Sequence, residues 1–136
     1  MTEPNYRIQN HDVDQFTHAY MVAALWSSND NADESGGDSL EARLSVYDIA
    51  EPTVKMMIAD CAKFQHDHYE DIKDNLTQAG HDLWLTRNGH GAGFFDGPPR
   101  WAKEASKRLT KACEPYREVE LEVGDDGLIH QFPEAR

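Results

Sequence analysis

Hydrophobic residues return every three or four positions along three stretches of this chain and alternate with polar ones along several others. In "HDVDQFTHAYMVAALW", Val13, Phe16, Tyr20 and Ala24 share one helical face, which predicts a first helix. Asp12 is placed to cap it, with Gln15 three residues on as in a capping box. Leu25 and Trp26 fall off the stripe, so another segment is expected to cover this helix end. From Pro52 to Leu76 runs the longest predicted helix. Val54, Met57, Ile58, Cys61, Phe64, His68, Ile72 and Leu76 line its apolar face. Pro52 suits the first turn, where its missing N–H is harmless, and Gly80 reads as the stop. The next two runs, "HDLWLTR" and "GFFD", flank "NGHG". Asn88-Gly89 between strand-like runs predicts a β-hairpin over 81–96, ended by Pro98 and Pro99. A third helix follows in "PRWAKEASKRLTKAC", with Trp101, Ala105, Leu109 and Ala112 turned to the core. The chain closes with "EVELEV" and "LIHQF" around "GDDG", a second hairpin with one solvated face. The expected fold class is therefore α+β, about three helices packed on a small antiparallel sheet of two hairpins, in a single domain 1–136.

Between the first two helices, residues 27–39, "SSNDNADESGGDS", form a polar acidic loop. A Ca²⁺ loop is not met in register, because Gly36 and Gly37 fall wrongly relative to Asp30, and a mobile loop is expected. The formal net charge of −12 changes the picture of partners. It opposes contact between a broad face and phosphate backbones, and so argues against direct nucleic-acid binding and favours a basic partner. Cys61 and Cys113 lie far apart with no metal-finger spacing, and read as free buried thiols in a reducing compartment. The start "MTEPNYRIQN" lacks the basic and apolar regions of a signal peptide, and no apolar run approaches the ~18 residues of a membrane span. A cytoplasmic protein without membrane contact is expected.

The hairpin is the leading place for chemistry. Its fold-back would bring His81 and Asp82 toward Asp96, with Arg87 and His90 at the turn. His81, Arg87, His90 and Asp96 are the catalytic candidates, since a histidine with carboxylates performs acid–base work and an arginine clamps anions. Trp84, Arg87, Asn88 and His90 are the binding candidates, and Gly89, Gly91 and Gly93 would admit a ligand to the backbone. The competing reading gives the glycines to turn geometry and Trp84, Phe94 and Phe95 to the core. Arg100, Lys103, Lys107 and Lys111 recur on one face of the third helix as a second candidate surface, for phosphates or an acidic partner; the plainer reading is a solvated face. His66 and His68 stand two apart, about 200° around a helix, so one cation does not reach both. No metal or cofactor is expected. No nucleophile elbow, Walker, HExxH or kinase motif is present, which tilts the reading away from an enzyme.

The stretch "GHDLWLTRNGHGAGFFD" resembles the hallmark of a family of small proteins encoded by bacteriophages and other bacterial mobile elements, Gly-His-Asp-Phe-Trp-Leu-Thr-Arg-Asn-Gly-His-Gly-Ala-Gly-Phe-Trp-Asp. Weaker echoes are "ALWSS", "YDIA", "DCAKF" and "VGDDG". The sequence departs at Leu83 and Phe95, and Gly-Pro-Pro follows Asp96 where an arginine is usual, which takes away the adjacent basic group. The resemblance implies a phage-type origin in a bacterial host's cytoplasm and supplies no activity. Two functions stay open. One is an accessory protein that binds a host or phage macromolecule, for instance as an acidic inhibitor of a DNA-binding or defence protein. The other is a small hydrolase or ligand-binding domain with its site at 81–96.

Overall fold

A computed structural model describes residues 6–29 and 38–133 of the chain. The reading of 27–39 as an acidic loop falls largely on 30–37, outside the described residues. At the two ends of that segment Asn29 and Ser39 form an antiparallel bridge.

The chain opens with a hairpin that the hydrophobic pattern does not announce. Strands β1 (Tyr6–Ile8) and β2 (His11–Val13) pair antiparallel around Gln9 and Asn10, both at positive φ. Two left-handed residues in a two-residue loop match the twist of a hairpin, and asparagine tolerates that conformation. Helix α1 (Gln15–Ser27) therefore starts later than the sequence suggests. Asp14, not Asp12, is its cap, and accepts the Thr17 N–H at 2.9 Å. Phe16, Tyr20 and Ala24 are buried as expected; Leu25 is covered too, while Trp26 remains 42% exposed.

Helix α2 (Glu51–Ile72) carries Pro52 in its first turn and buries Val54, Met57, Cys61, Phe64 and Ile72. Phe64 is the hub of the core, with ring centroids 6.0 Å from Phe16, 5.6 Å from Phe94 and 5.9 Å from Tyr116. Burying a phenylalanine of this kind contributes roughly 1.5–3 kcal/mol. His68 sits at a kink (φ −129°, ψ 20°) and lays its ring 4.8 Å from that of Phe64, a rim position rather than a projecting one. The helix ends at Ile72, short of Leu76.

The largest departure comes next. Residues 76–87 form helix α3 (Leu76–Arg87), not the first strand of a hairpin. Gly80 lies inside this helix instead of stopping α2. A Cβ at Gly80 would overlap the carbonyl oxygen of Phe16 and crowd the Ala19 side chain, so the glycine sets how closely α3 approaches α1. Consecutive Leu83, Trp84 and Leu85 are all buried because packed segments surround α3 on several sides. A helix buried that widely shows no single apolar stripe, and its residues imitate the short apolar run of a strand. Asn88-Gly89 then closes the helix. The His90 N–H reaches the Leu85 carbonyl at 3.0 Å and the Gly89 N–H the Thr86 carbonyl at 3.3 Å, the paired bonds of a Schellman cap, with Gly89 at φ +68°.

Beyond it, the glycine-rich segment folds over α3 in a short turn. Phe94 N–H donates to Thr86 Oγ1 and Ser106 Oγ donates to Phe94 O. Phe94 is core, whereas Phe95 is 47% exposed. Helix α4 (Lys103–Ala112) begins after Trp101, with Ala105 and Leu109 inward. The bidentate pair from Arg108 to Asp71, at 2.7 and 3.0 Å, ties α4 to α2. Strands β3 (Glu120–Val123) and β4 (Ile129–Phe132) make the closing hairpin in the expected place. Leu121 is buried while Glu120 and Glu122 are exposed, as the alternation requires. Among the described residues the fold is thus α+β with four α-helices and two separate two-stranded antiparallel sheets, where about three helices on a small sheet of two hairpins were expected. Cys61 and Cys113 are free and buried; burial raises both thiol pKa values, that of Cys113 to about 12. Among the described residues, no helix is long and apolar enough to cross a membrane.

Candidate functional site

With 76–87 helical, the site residues read from the sequence separate. His81 and Arg87 are six residues apart on α3, about 9 Å along its axis at 1.5 Å per residue. The middle of the helix and its C-terminal end each have their own polar cluster.

At the middle of α3, Asp82 is fully buried. It accepts from Trp101 Nε1 at 2.7 Å and Gln78 Nε2 at 2.9 Å, with Arg100 Nη1 3.7 Å away. Burial pushes its pKa up, against the pull of these donors. Arg100 also stands 3.6 Å from Asp96, so a basic group does neighbour that carboxylate, supplied from four residues on. Asp96 itself accepts the Gly93 N–H at 3.0 Å and so holds its own turn. His81 is half-buried beside this cluster; burial lowers its pKa, Asp82 opposes that, and Arg100 adds to it. His18, whose ring stacks on Tyr6 at 3.6 Å, is lowered by burial and then by His81.

At the C-terminal end, Arg87 is not an anion clamp open to solvent. Its guanidinium is buried and donates to Asp60 Oδ2 at 2.8 Å, to the Tyr20 hydroxyl at 3.0 Å, and to the carbonyls of Arg117 and Tyr116. This one side chain joins α1, α2 and α3 to the segment that leads into β3. Trp84 is core, set edge-on to Tyr20, and its indole N–H donates to Ser27 Oγ at 2.8 Å. Asn88 donates to the Trp84 carbonyl and accepts the Val119 N–H at 2.8 Å, stitching the helix end to the approach to β3.

These ties leave an open groove of about 290 Å³. Ser27, Ser28 and Asn29 form one wall at the end of α1; Trp84, Asn88 and His90 come from the end of α3; residues 118–121 form the other wall. Glu118 and Glu120 are exposed on that wall. Of the expected site residues, the groove gathers Trp84, Asn88 and His90, and excludes His81, Asp96 and the head of Arg87. Its serines and glutamates carried no role in the sequence reading. The only trace was "ALWSS", an echo without an assigned task, and a glutamate alternation that marks any solvated strand face.

The basic stripe also changes. Arg100 precedes α4 and faces Asp82 and Asp96, leaving Lys103, Lys107 and Lys111 exposed on the helix. Lys107 lies 4.0 Å from Glu104, at the limit of an ion pair. Among the described residues, no three His, Cys, Asp or Glu side chains converge as metal ligands would. Compared with protein-family models, curated proteins and solved structures, the chain has no significant match.

Proposed function

We propose that the chain is a phage-type accessory protein that acts in the host cytoplasm by binding a macromolecule, a protein rather than a nucleic acid, in the groove between α1, α3 and β3. The observation that carries this reading is convergence. The "ALWSS" end of α1 and the "NGHG" end of α3, both singled out on sequence grounds, meet at one open concavity. His90, Glu118 and Glu120 line it beside the buried Trp84, with Trp26 exposed next in sequence to its Ser27 wall. A net charge of −12 favours a basic partner, and an acidic protein can occupy the surface that a DNA-binding or defence protein offers to phosphates. The rival reading, a small hydrolase or ligand-binding domain at 81–96, loses its support in the geometry. His81 sits midway along α3 while His90 lies past its C-terminal cap, in a groove that His81 does not line, and Arg87 is occupied by internal bonds.

The test compares the immobilised protein with His90→Ala and with Ser28→Arg, which fills the groove, as baits in bacterial lysates at low salt. The reading requires a protein retained by the parent and lost on Ser28→Arg, with unfolding midpoints unchanged. Failure to retain anything in several hosts would overturn it.

A further inference from the structure

We infer that the groove's occupant is an extended peptide segment bearing lysine or arginine, which adds as a further strand along the outer edge of β3; this rests on the groove being the binding site.

The two edges of the closing hairpin differ. Gly124 N–H donates to Leu128 O at 2.9 Å. Antiparallel alternation then makes Glu122–His130 and Glu120–Phe132 the pairs that exchange hydrogen bonds. On the far side of β4 the outward groups are met: Ala50 N–H donates to Ile129 O, and Gln131 N–H donates to Thr53 Oγ1, both at 2.9 Å. On the far side of β3, Asn88 takes the Val119 N–H. Beyond it, Leu121 and Val123 turn their N–H and C=O groups away from β4, and no described residue bonds them. Such an edge is a template for an incoming strand.

The groove runs beside this edge, and no residue of β4 lines it. The charge row selects the occupant. Glu118, Glu120 and Glu122 are exposed, and among the described residues none meets a cation. Residues of an added strand lie about 4.5–5.5 Å from those directly opposite, so alternate Lys or Arg side chains would face the glutamates. The residues between them would turn toward Trp84 and Leu121. A second copy of this chain would bring the same acidic row, and a nucleic acid its phosphates; both are repelled.

The experiment uses a fluorescent peptide of alternating Lys and Val, its Glu-Val counterpart, and a Lys-Val peptide N-methylated on alternate residues, which cannot add to an edge. Binding by the Lys-Val peptide is expected, weakened about ten-fold or more by Glu118→Lys/Glu120→Lys/Glu122→Lys, since each cross-strand charge pair contributes. The Leu121 and Val123 amides should gain protection from exchange. Equal binding by the N-methylated or the Glu-Val peptide overturns the inference, as does self-association through β3 in sedimentation. If no peptide binds while Ser28→Arg still abolishes partner retention, the strand-addition inference falls and the groove stands.

Discussion

Asn88-Gly89 and Asp126-Gly127 look alike in sequence and place their glycines in nearly the same conformation, φ +68° and +78°. The second turns a hairpin: Gly127 N–H returns to Gly124 O, and Asp126 Oδ1 accepts the Leu128 N–H at 2.9 Å. The first ends a helix. An Asx–Gly step asks only for a left-handed residue, which a hairpin turn and a helix C-cap both provide. The preceding segment decides between them. Before Gly127 lies a strand with one buried face. Before Gly89 lies α3, surrounded closely enough to bury Leu83, Trp84, Leu85 and Arg87 together.

The sharpest way to break this comparison is to remove what anchors α3. Arg87→Met removes the buried guanidinium and with it the bonds to Asp60, to the Tyr20 hydroxyl and to the carbonyls of Tyr116 and Arg117, and should lower stability by about 3–5 kcal/mol. Urea unfolding measures it; a loss below about 1 kcal/mol would mean that Arg87 does not hold the helix end. A smaller effect tests the claim that the two glycines are locally equivalent. A Cβ at Gly127 meets nothing, and at Gly89 only Glu118 Oε1 at 3.7 Å. Alanine at either position should therefore cost about 1–2 kcal/mol, from the left-handed backbone alone. Unequal losses in thermal unfolding would show that context enters at the glycine itself.

The smallest effect is in the acid range and has opposite signs at Asp82 and Asp126. Asp82, midway along α3, has its pKa raised by burial. Its folded form holds the proton more tightly, so its contribution favours folding at low pH and is lost as pH rises through the folded value. At the hairpin, the Leu128 N–H and then His130 lower the pKa of Asp126. Its contribution is present above the unfolded value of about 3.9 and is lost as pH falls through the folded one. Carboxyl titration by NMR should show the two shifts directly. Asp82→Asn and Asp126→Asn should change the pH dependence of the unfolding midpoint in opposite directions.

The site was less legible than the fold. His90, Asn88 and Trp84 could be picked out because unusual residues crowd one short stretch. Nothing local connects them with Ser27 or Glu118, which reach the groove from distant parts of the chain. Arg87 was conspicuous for the right reason, a charge among aromatic residues, yet its role follows from Asp60 and Tyr20 lying within reach of its buried head.

By itself, the sequence determined the amphipathic faces of α2 and α4, the β3–β4 hairpin and its turn, and the acidic balance, because each depends on neighbours within a few residues. Only the tertiary structure decided that 76–87 is a helix, that Gly80 is a contact point rather than a stop, and that the ends of α1 and α3 share a groove with β3. The physical reason is the same in all three. Periodicity reports a segment with one buried side, whereas a segment enclosed on several sides takes its conformation from what surrounds it.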